Sequence, residues 1–233
     1  MSKFIRTIAM IEQDNFNILS KSNILICGLG GVGGMTFLSL VRMGVTNFTL
    51  VDFDKFDISN LNRQMLSNTN NIGLVKVEEA KKQALLINPE LNIKTLDMKI
   101  SSENIDLLND DFDYIIDCID DVSAKIELYK LGRRNNIKLI SSMGTAMKFD
   151  PTKLKVTILN KTEYDPLAKK LRYLLKEDKE LLKTKVIYST ETVLPIIKQK
   201  REELGFLPSN VIVPNAAGLL IAKEVLLDII NFE

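Results

Sequence analysis

A glycine-rich turn, GLGGVG at residues 28–33, constrains the fold of this chain more than any other feature of its sequence. It follows an apolar run at residues 23–27, which predicts a strand. It leads into a helix-period segment at residues 32–43, which ends before Gly44. A strand, a glycine turn and a helix in this order are typical of the first βαβ unit of a parallel sheet. The turn amides and the positive end of the helix dipole favour binding of a phosphate group.

The same alternation of strand and helix patterns continues to residue 150. Apolar runs predict further strands at residues 47–52, 91–96, 113–118 and 137–141, and helical periodicity predicts helices at residues 74–87 and 124–134. Residues 154–159 then alternate between apolar and polar, like a half-exposed strand. We therefore predict an α/β fold: a Rossmann-like, mostly parallel sheet with helices on both faces, extended by antiparallel strands in the C-terminal third.

Three more segments belong to this C-terminal third. Asp165 is predicted to cap a helix that has Pro166 at its first position. Four leucines share one face of that helix: Leu167, Leu171, Leu174 and Leu175. Residues 176–185 are highly charged, and we interpret them as a mobile linker or lid. Residues 211–230 are strongly apolar but carry three charges, which predicts a helix packed on the protein core rather than a membrane span.

Composition excludes several kinds of chemistry. The chain contains no histidine, which excludes an imidazole base, a His-containing triad and a His-ligated metal. Its two cysteines, Cys27 and Cys118, exclude a four-cysteine zinc site, so no zinc is expected. Each cysteine lies in an apolar run, which favours reduced, buried thiols in a reducing cytoplasm. Residues 1–10 lack the apolar core of a signal peptide, and we expect no membrane association.

Charged and polar side chains after the predicted strands indicate which nucleotide binds. Asp52 ends the second strand, where an acidic residue can bind ribose hydroxyls. Arg63 and Lys76 follow in the next segment, and these cations suit a triphosphate better than a dinucleotide. Asp120 lies just beyond the carboxyl end of the fourth strand and is placed to hold Mg²⁺. No lysine follows the glycine turn as in a P-loop, so the pattern favours ATP bound on a Rossmann-like turn.

Five motifs make the sequence recognisable: GLGGVGG, VDFD, SNLNRQ, GLVK and DCIDD. Over residues 3–145 they resemble the ubiquitin-activating-enzyme-like adenylating family. The resemblance implies a homodimer in which Arg6 reaches the partner's phosphates, and it assigns catalytic roles to Arg63, Lys76, Asp120 and Arg6, with Asp120 on the metal. The expected nucleotide-binding residues are Gly28, Gly30, Gly31, Gly33, Asp52, Asp54, Ser59, Asn60, Asn62, Arg63, Gln64, Lys76, Asp120 and Asp121.

A second series of motifs extends the resemblance over nearly the whole chain: SSMG, DPT, KT, DPLA and VIYSTE. It is similar to the tRNA threonylcarbamoyladenosine dehydratase group of that family. This implies ATP-dependent adenylation of the carboxylate of threonylcarbamoyladenosine beside the anticodon of tRNA, followed by cyclisation with net loss of water. Residues 1–150 are then the ATP-binding adenylation core. Residues 151–233 form an extension on the same sheet, with tRNA contacts, within one continuous domain.

Two departures from the group pattern are visible. Gly34 stands where the family commonly has Ser or Cys, a change expected to affect only helix packing, and residues 190–208 are compact. The stripe of Lys169, Arg172 and Lys176 is consistent either with phosphate contacts or with a solvated helix face. Cys118 as a nucleophile is disfavoured, because the neighbouring carboxylates raise a thiol pKa.

Other functions stay open at this point. One is adenylation of the C-terminal glycine of a ubiquitin-like sulfur-carrier protein, although the zinc-binding cysteine pairs usual in those enzymes are absent here. A second is an NAD-dependent oxidoreductase built on the same glycine turn. A third is a non-catalytic module that responds to nucleotide. A sulfur-relay or cysteine-desulfurase partner is likewise neither required nor excluded.

Overall fold

A computed structural model describes residues 2–108 and 111–231 of the chain. The strands are β1 (Asn23–Cys27), β2 (Asn47–Val51), β3 (Asn92–Leu96), β4 (Tyr114–Asp117), β5 (Lys138–Ser142), β6 (Leu154–Ile158) and β7 (Lys185–Ser189). The helices are α1 (Ile5–Ile11), α2 (Gln13–Lys21), α3 (Gly31–Met43), α4 (Lys76–Ile87), α5 (Val122–Arg134), α6 (Pro166–Leu174), α7 (Pro195–Leu204) and α8 (Ile212–Ile230).

The strands form one seven-stranded sheet in the order β3-β2-β1-β4-β5-β7-β6. All neighbouring pairs are parallel except β6 and β7, which pair antiparallel at one edge. The predicted fold class is confirmed, with β7 joining the parallel part of the sheet and β6 running against it. Strand order reverses between β1 and β4, so the carboxyl ends of these two strands open a crevice of the kind in which α/β folds bind ligands.

Strand β1 shows how the sheet comes to be covered on both faces. Ile24 and Ile26 point into a core shared with α2, α3, α4 and α8, and Leu25 and Cys27 point into a core shared with α5. Successive side chains of a strand alternate between faces, so a strand that is apolar throughout must have helices on both sides. A third apolar cluster joins α5, α6 and β7.

The apolar C-terminal segment is the helix α8, which packs closely on α3, as predicted. At Gly218 a Cβ atom would lie 2.5 Å from the carbonyl oxygen of Val32, so only glycine permits this approach. Thr36 Oγ1 donates a hydrogen bond of 3.1 Å to the Gly218 carbonyl oxygen and fixes the contact. None of the described helices is long and apolar enough to span a bilayer.

The interpretation of residues 176–185 as a mobile linker or lid is wrong. Leu181 in this segment is buried in the cluster with α5 and α6. The Asp178 carboxylate receives two hydrogen bonds from Arg133 of α5, at 2.6 and 2.7 Å. Apolar burial of Leu181 holds the segment on the domain, and the Arg133–Asp178 pair, in which the single Nη1 donates to both oxygens, adds a contact at the surface. On α6 the predicted apolar face is also narrower than expected, because Leu174 is exposed.

Candidate active site

A cleft of about 1850 Å³ lies at the carboxyl ends of the parallel strands. The glycine turn after β1, residues 51–64 after β2 and residues 118–121 after β4 line it. Residues 142–148 after β5 and residues 206–209 after α7 also contribute. The strand reversal between β1 and β4 therefore produces a single large opening into which side chains from distant parts of the sequence converge.

The glycine turn is held tightly beneath this cleft. Gly28 has φ +88°, and its N–H donates to the Val51 carbonyl oxygen at 2.8 Å. A Cβ at Gly33 would lie 1.8 Å from the Gly28 carbonyl oxygen, so the first turn of α3 packs directly against the loop. Gly30, in contrast, has nothing within 4 Å of its Cβ position and lines the cleft. Backbone is thus exposed to a ligand where the positive end of the α3 dipole points.

Asp52 is buried, with 8% of its surface exposed, at the end of β2. Its carboxylate accepts hydrogen bonds from the N–H of Leu29 (2.6 Å) and of Asp54 (2.9 Å). Burial raises its pKa, and the nearby Lys76 ammonium opposes that shift. Each oxygen keeps a second lone pair, so the carboxylate can shape the glycine turn and still accept from a ligand hydroxyl.

Lys76 begins α4 and is almost fully buried. Its Nζ lies 3.0 Å from Oδ2 of Asp54, and its backbone N–H donates to the Asp54 carbonyl oxygen at 3.0 Å. A buried ammonium held by one carboxylate has a fixed position. Because its other two N–H groups have no partner among the described residues, Lys76 can donate to an anion in the cleft.

The segment between β2 and α4 is built around a short 3-10 turn at Ile58–Asn60. The Asp57 carboxylate caps the turn by accepting from Ser59 N–H, and Asn60 Oδ1 accepts from Asp57 N–H. This leaves Arg63 at the lip of the cleft, where its Nη1 donates to the Ser59 carbonyl oxygen (2.8 Å) and to Asn62 Oδ1 (2.9 Å). The guanidinium is therefore oriented and half-exposed, and its remaining N–H groups have no hydrogen-bond partner among the described residues in the cleft that Arg63 lines.

Gln64 lies just inside the cleft and is 6% exposed. Its Oε1 is buried and has no hydrogen-bond partner within residues 2–108 and 111–231. An unpaired buried acceptor costs about 1–3 kcal/mol. A ligand N–H or O–H that reached it would remove this cost.

The two aspartates after β4 differ in what they do. Asp121 caps α5: its Oδ1 accepts from Ser123 N–H (2.9 Å) and Ala124 N–H (3.1 Å). These backbone hydrogen bonds, the one from Ala124 first, hold its pKa below the usual range, and Lys99 lies 3.3 Å away. Asp120 is exposed in the cleft and makes no ion pair or hydrogen bond with any described residue. Of the two, only Asp120 has both oxygens available.

Two of the expected site residues lie outside the cleft lining. Gly33 lies behind the glycine turn, for the packing reason given above. Arg6 is exposed on α1 and has no ion pair or hydrogen bond with any residue that the structure describes. A single chain therefore brings together every predicted nucleotide-binding residue except Gly33, and it does not bring Arg6 to them.

A fully buried polar network lies directly below the cleft, and sequence analysis missed it. Lys125 Nζ bonds to Asp117 Oδ2 (2.9 Å), Ser141 Oγ (3.0 Å) and the Ser142 carbonyl oxygen (2.8 Å). Tyr129 OH donates to Ser141 Oγ at 2.8 Å. The network ties α5 to the carboxyl ends of β4 and β5, and Asp117 Oδ1 also accepts from Ile119 N–H. No spacing rule marks Lys125, because it lies within an ordinary amphipathic helix pattern.

The second half of the cleft contains charged residues that sequence analysis did not single out for binding. Lys148 and Asp165 lie inside it, and Lys198 and Arg201 of α7 line its outer part. The predicted basic stripe on α6 is not part of the lining. Within that stripe Arg172 is half-buried and donates to the Thr162 hydroxyl.

The chain is similar to known proteins both in its amino-acid sequence and in its fold. The model of the ThiF family matches residues 4–198. A tRNA threonylcarbamoyladenosine dehydratase from Bacillus subtilis is 34% identical over 99% of this chain and 96% of its own length. The dehydratase of the same description from Escherichia coli is 33% identical over 82% of this chain and 75% of its own length. The crystal structure of an E. coli tRNA N6-threonylcarbamoyladenosine dehydratase in complex with ATP superposes with a TM-score of 0.90 at 30% identity, covering 98% of this chain and 94% of that one.

Proposed function

The chain belongs to the ThiF family, and within that family we propose that it is an ATP-dependent tRNA threonylcarbamoyladenosine dehydratase. The observation that carries the proposal is the end-to-end match to the B. subtilis dehydratase, which includes the C-terminal third as well as the nucleotide-binding core. The E. coli relative of the same fold binds ATP, and the cleft described above supplies a glycine turn, Arg63 and Lys76 for a triphosphate.

The proposed reaction has two steps. A carboxylate oxygen of the threonylcarbamoyl group attacks the α-phosphorus of ATP, the bond to the β-phosphate oxygen breaks, and pyrophosphate leaves. A nitrogen of the same substrate then attacks the activated carbonyl carbon, loses its proton, and AMP leaves with the former carboxylate oxygen. The substrate has lost one water in total, and no covalent enzyme intermediate is needed. This suits a chain without histidine.

Charge accumulates on the phosphoryl oxygens and on pyrophosphate as the first step proceeds. The turn amides at Gly30 and Gly31 and the N-terminus of α3 bind the phosphates, and Arg63 and Lys76 stabilise the charge that develops. Both cations are held in place by protein oxygens before ATP arrives, so little reorganisation is needed. Asp52 binds the ribose, and Asn60, Ser59, Asn62 and Gln64 form the wall beside the nucleotide.

Asp120 is the residue that would hold Mg²⁺. Its exposed carboxylate is bonded to no described residue, and Mg²⁺ in nucleotide sites takes one or two carboxylates together with phosphate oxygens and water. When bound there, Mg²⁺ would neutralise charge on the phosphates. Asp121 is committed to capping α5, so we assign it a supporting position rather than a place on the metal.

The two parts of the chain then have different roles. Residues 1–150 bind and activate ATP, and residues 151–233 complete the cleft on the side that receives the tRNA, within one continuous domain. The enzyme acts as a homodimer in which Arg6 reaches the partner's phosphates; this proposal is supported by an exposed Arg6 on α1 that has no ion pair with the residues described. A tRNA substrate is consistent with a reaction in the cytoplasm, which we include in the proposal.

The test is conversion of the modified nucleoside. Purified protein is incubated with ATP, Mg²⁺ and tRNA that carries threonylcarbamoyladenosine, and the nucleosides are analysed by mass spectrometry. We expect loss of the mass of one water, with one AMP and one pyrophosphate formed for each nucleoside converted. An unchanged nucleoside would contradict the proposal. Pyrophosphate exchange that required a sulfur-carrier protein would instead favour carrier adenylation, and tight NAD binding without a response to ATP would favour an oxidoreductase.

A further inference from the structure

Lys148 is a buried lysine that lines the cleft. It follows β5, has 4% of its surface exposed and lines the part of the cleft formed with the C-terminal third. Its Nζ donates one hydrogen bond, to the Ser189 carbonyl oxygen at 3.0 Å. The nearest carboxylate oxygen, Oδ2 of Asp165, is 4.0 Å away, which is too far for a hydrogen bond.

The carboxylates near Lys148 are bonded to backbone groups. Asp165 caps α6 by accepting from Ala168 N–H (2.8 Å), and it also accepts from Gly144 N–H (3.0 Å). Glu191 accepts from Phe149 N–H and Asp150 N–H at 2.9–3.0 Å. Neither carboxylate accepts a hydrogen bond from the Lys148 ammonium. Asp165 forms an ion pair with Lys148 only at the 4.0 Å limit, so two of the three N–H groups of the ammonium have no hydrogen-bond partner among the described residues, whereas buried donors ordinarily have one.

The backbone around Lys148 is fixed. Asn210 Nδ2 donates to the Lys148 carbonyl oxygen at 2.8 Å, and Met147 N–H donates to the Pro208 carbonyl oxygen at 2.9 Å. Burial lowers the pKa of the ammonium, and Asp165 and Glu191 oppose that shift. Because Asp165 and Glu191 already offset part of its charge, an ammonium with two free donors suits one singly charged, planar anion better than the more highly charged phosphates of an RNA backbone. The exposed Lys198 and Arg201 at the cleft edge suit those phosphates.

We propose that Lys148 binds the carboxylate of the substrate's threonylcarbamoyl group and presents it to the α-phosphorus of ATP, so that it selects the acid as substrate. The inference rests on the proposed function. Lys148 would thus recognise the substrate carboxylate from a part of the cleft that contains none of the expected nucleotide-binding residues.

Two ligands differing only at the carboxyl group test this assignment. The affinities of free threonylcarbamoyladenosine and of its carboxamide are measured with a non-hydrolysable ATP analogue bound. We expect the wild-type protein to prefer the acid by at least about tenfold, the size of a hydrogen bond to a charged group. Lys148→Met should lose this preference while binding the ATP analogue within about twofold of wild type. The matched control Lys198→Met removes an exposed lysine of the same cleft and should keep the preference.

The outcomes separate the inference from the function on which it rests. If wild-type protein dehydrates the tRNA but Lys148→Met still prefers the acid, Lys148 only supports β7 and α6, and the inference is wrong. A wild-type protein without any preference for the acid also overturns it. If no tRNA is dehydrated at all, the proposed function itself fails. Should Lys148→Met not fold, Lys148→Gln replaces it, because Gln keeps a donor for the Ser189 carbonyl oxygen and removes the charge.

Discussion

Without histidine, the charges that the proposed reaction requires must come from Arg, Lys and Asp side chains with fixed positions. Lys76 and Arg63 are both positioned by protein oxygens. Cys118 also lines the cleft, and a thiol is the side chain there that would be the strongest nucleophile if it were ionised. Burial, and after it the Asp117 carboxylate, raise the pKa of its thiol to about 12. It is therefore a neutral thiol under working conditions.

We predict that Cys118 does not take part in the chemistry. A thiol with a pKa of about 12 is ionised only to the order of 10⁻⁴ at pH 8, so native protein should not react with iodoacetamide on the time scale of minutes. Cys118→Ala should keep activity within about threefold of wild type. Mass spectrometry after alkylation and a dehydration assay check both statements. Rapid single labelling with loss of activity would show that the thiol is a functional group.

The site residues that could be predicted from the sequence are those that lie close to the end of a predicted strand. Asp52 and Asp120 directly follow strands that were predicted, so their convergence on one edge of the sheet follows from parallel pairing. Lys148 and Lys125 could not be identified in this way. The burial of Lys148 depends on Ser189 and on α6, and that of Lys125 on Ser141, which are contacts between segments distant in sequence. Arg6 stays untested because its proposed site is on another chain.

At the scale of elements, the glycine turn and the start of α3 behave as one unit. We predict that two alanine substitutions within it affect different properties, one the stability of the fold and the other the affinity for ATP. Gly33→Ala places Cβ 1.8 Å from the Gly28 carbonyl oxygen and should destabilise the fold by about 3 kcal/mol or more. Gly30→Ala has open space and an ordinary φ of −72°, so it should keep the stability but weaken ATP binding by at least about tenfold.

Thermal unfolding and ATP titration distinguish the two effects. A Gly33→Ala protein as stable as wild type would contradict the packing described for this turn. Unchanged ATP affinity in Gly30→Ala would mean that the phosphates do not approach the turn.

The contribution of the polar network that joins α5 to β4 and β5 to the free energy of unfolding should also be measurable. Lys125 and Asp117 side chains are both fully buried, so Lys125→Met leaves a buried carboxylate without its cation and should cost about 3–5 kcal/mol of unfolding free energy. The matched control on the same helix is Lys130→Met, whose pair with Glu127 is on the surface and should matter by less than about 1 kcal/mol. Denaturant unfolding measures both, and equal losses would argue against the network.

Most elements were predictable because their patterns are local. The predicted strands and helices of the first 150 residues are present within one or two residues of the expected bounds. Strand β7 was missed because charged residues precede it and because its position depends on distant segments: it pairs with β5 and β6 and packs on α5, α6 and α8. Helices α1 and α2 were missed because they are short, 7 and 9 residues, and each buries a single residue, Ile11 in α1 and Leu19 in α2. Helix α7, which has no buried residue, gives no apolar stripe to detect.

At the scale of the whole molecule, the position of Arg6 bears on the proposed assembly. The arginine is exposed and unpaired in the described chain, and it is outside the cleft of its own subunit. If Arg6 acts on the partner's ATP, the two sites of a dimer each need residues from both chains. A chain with an intact cleft can then be inactive because of a change in its partner.

Mixing two inactive variants tests this arrangement. Arg6→Ala and Arg63→Ala should each lower the dehydration rate by at least about 10²-fold as homodimers. After subunit exchange at equal concentrations, half of the dimers are mixed, and each has one complete site, so activity should return to about a quarter of wild type. Subunit exchange between two differently tagged Arg63→Ala proteins is the control and should restore no dehydration activity. Activity that stays at the level of the parents would mean that Arg6 does not act in trans.

Residues 208–210 contact both halves of the cleft. On one side Asn62 Nδ2 donates to the Ser209 carbonyl oxygen at 2.9 Å, and on the other Met147 and Lys148 bond to Pro208 and Asn210. Ligands that each favour the same arrangement of a shared wall bind cooperatively, and the cooperativity is equal in both directions. We therefore expect tRNA to tighten binding of a non-hydrolysable ATP analogue by the same factor as the analogue tightens tRNA, and equal affinities with and without the second ligand would refute this. With such cooperativity, the enzyme would bind little ATP before a substrate tRNA is bound, and this would limit unproductive ATP hydrolysis.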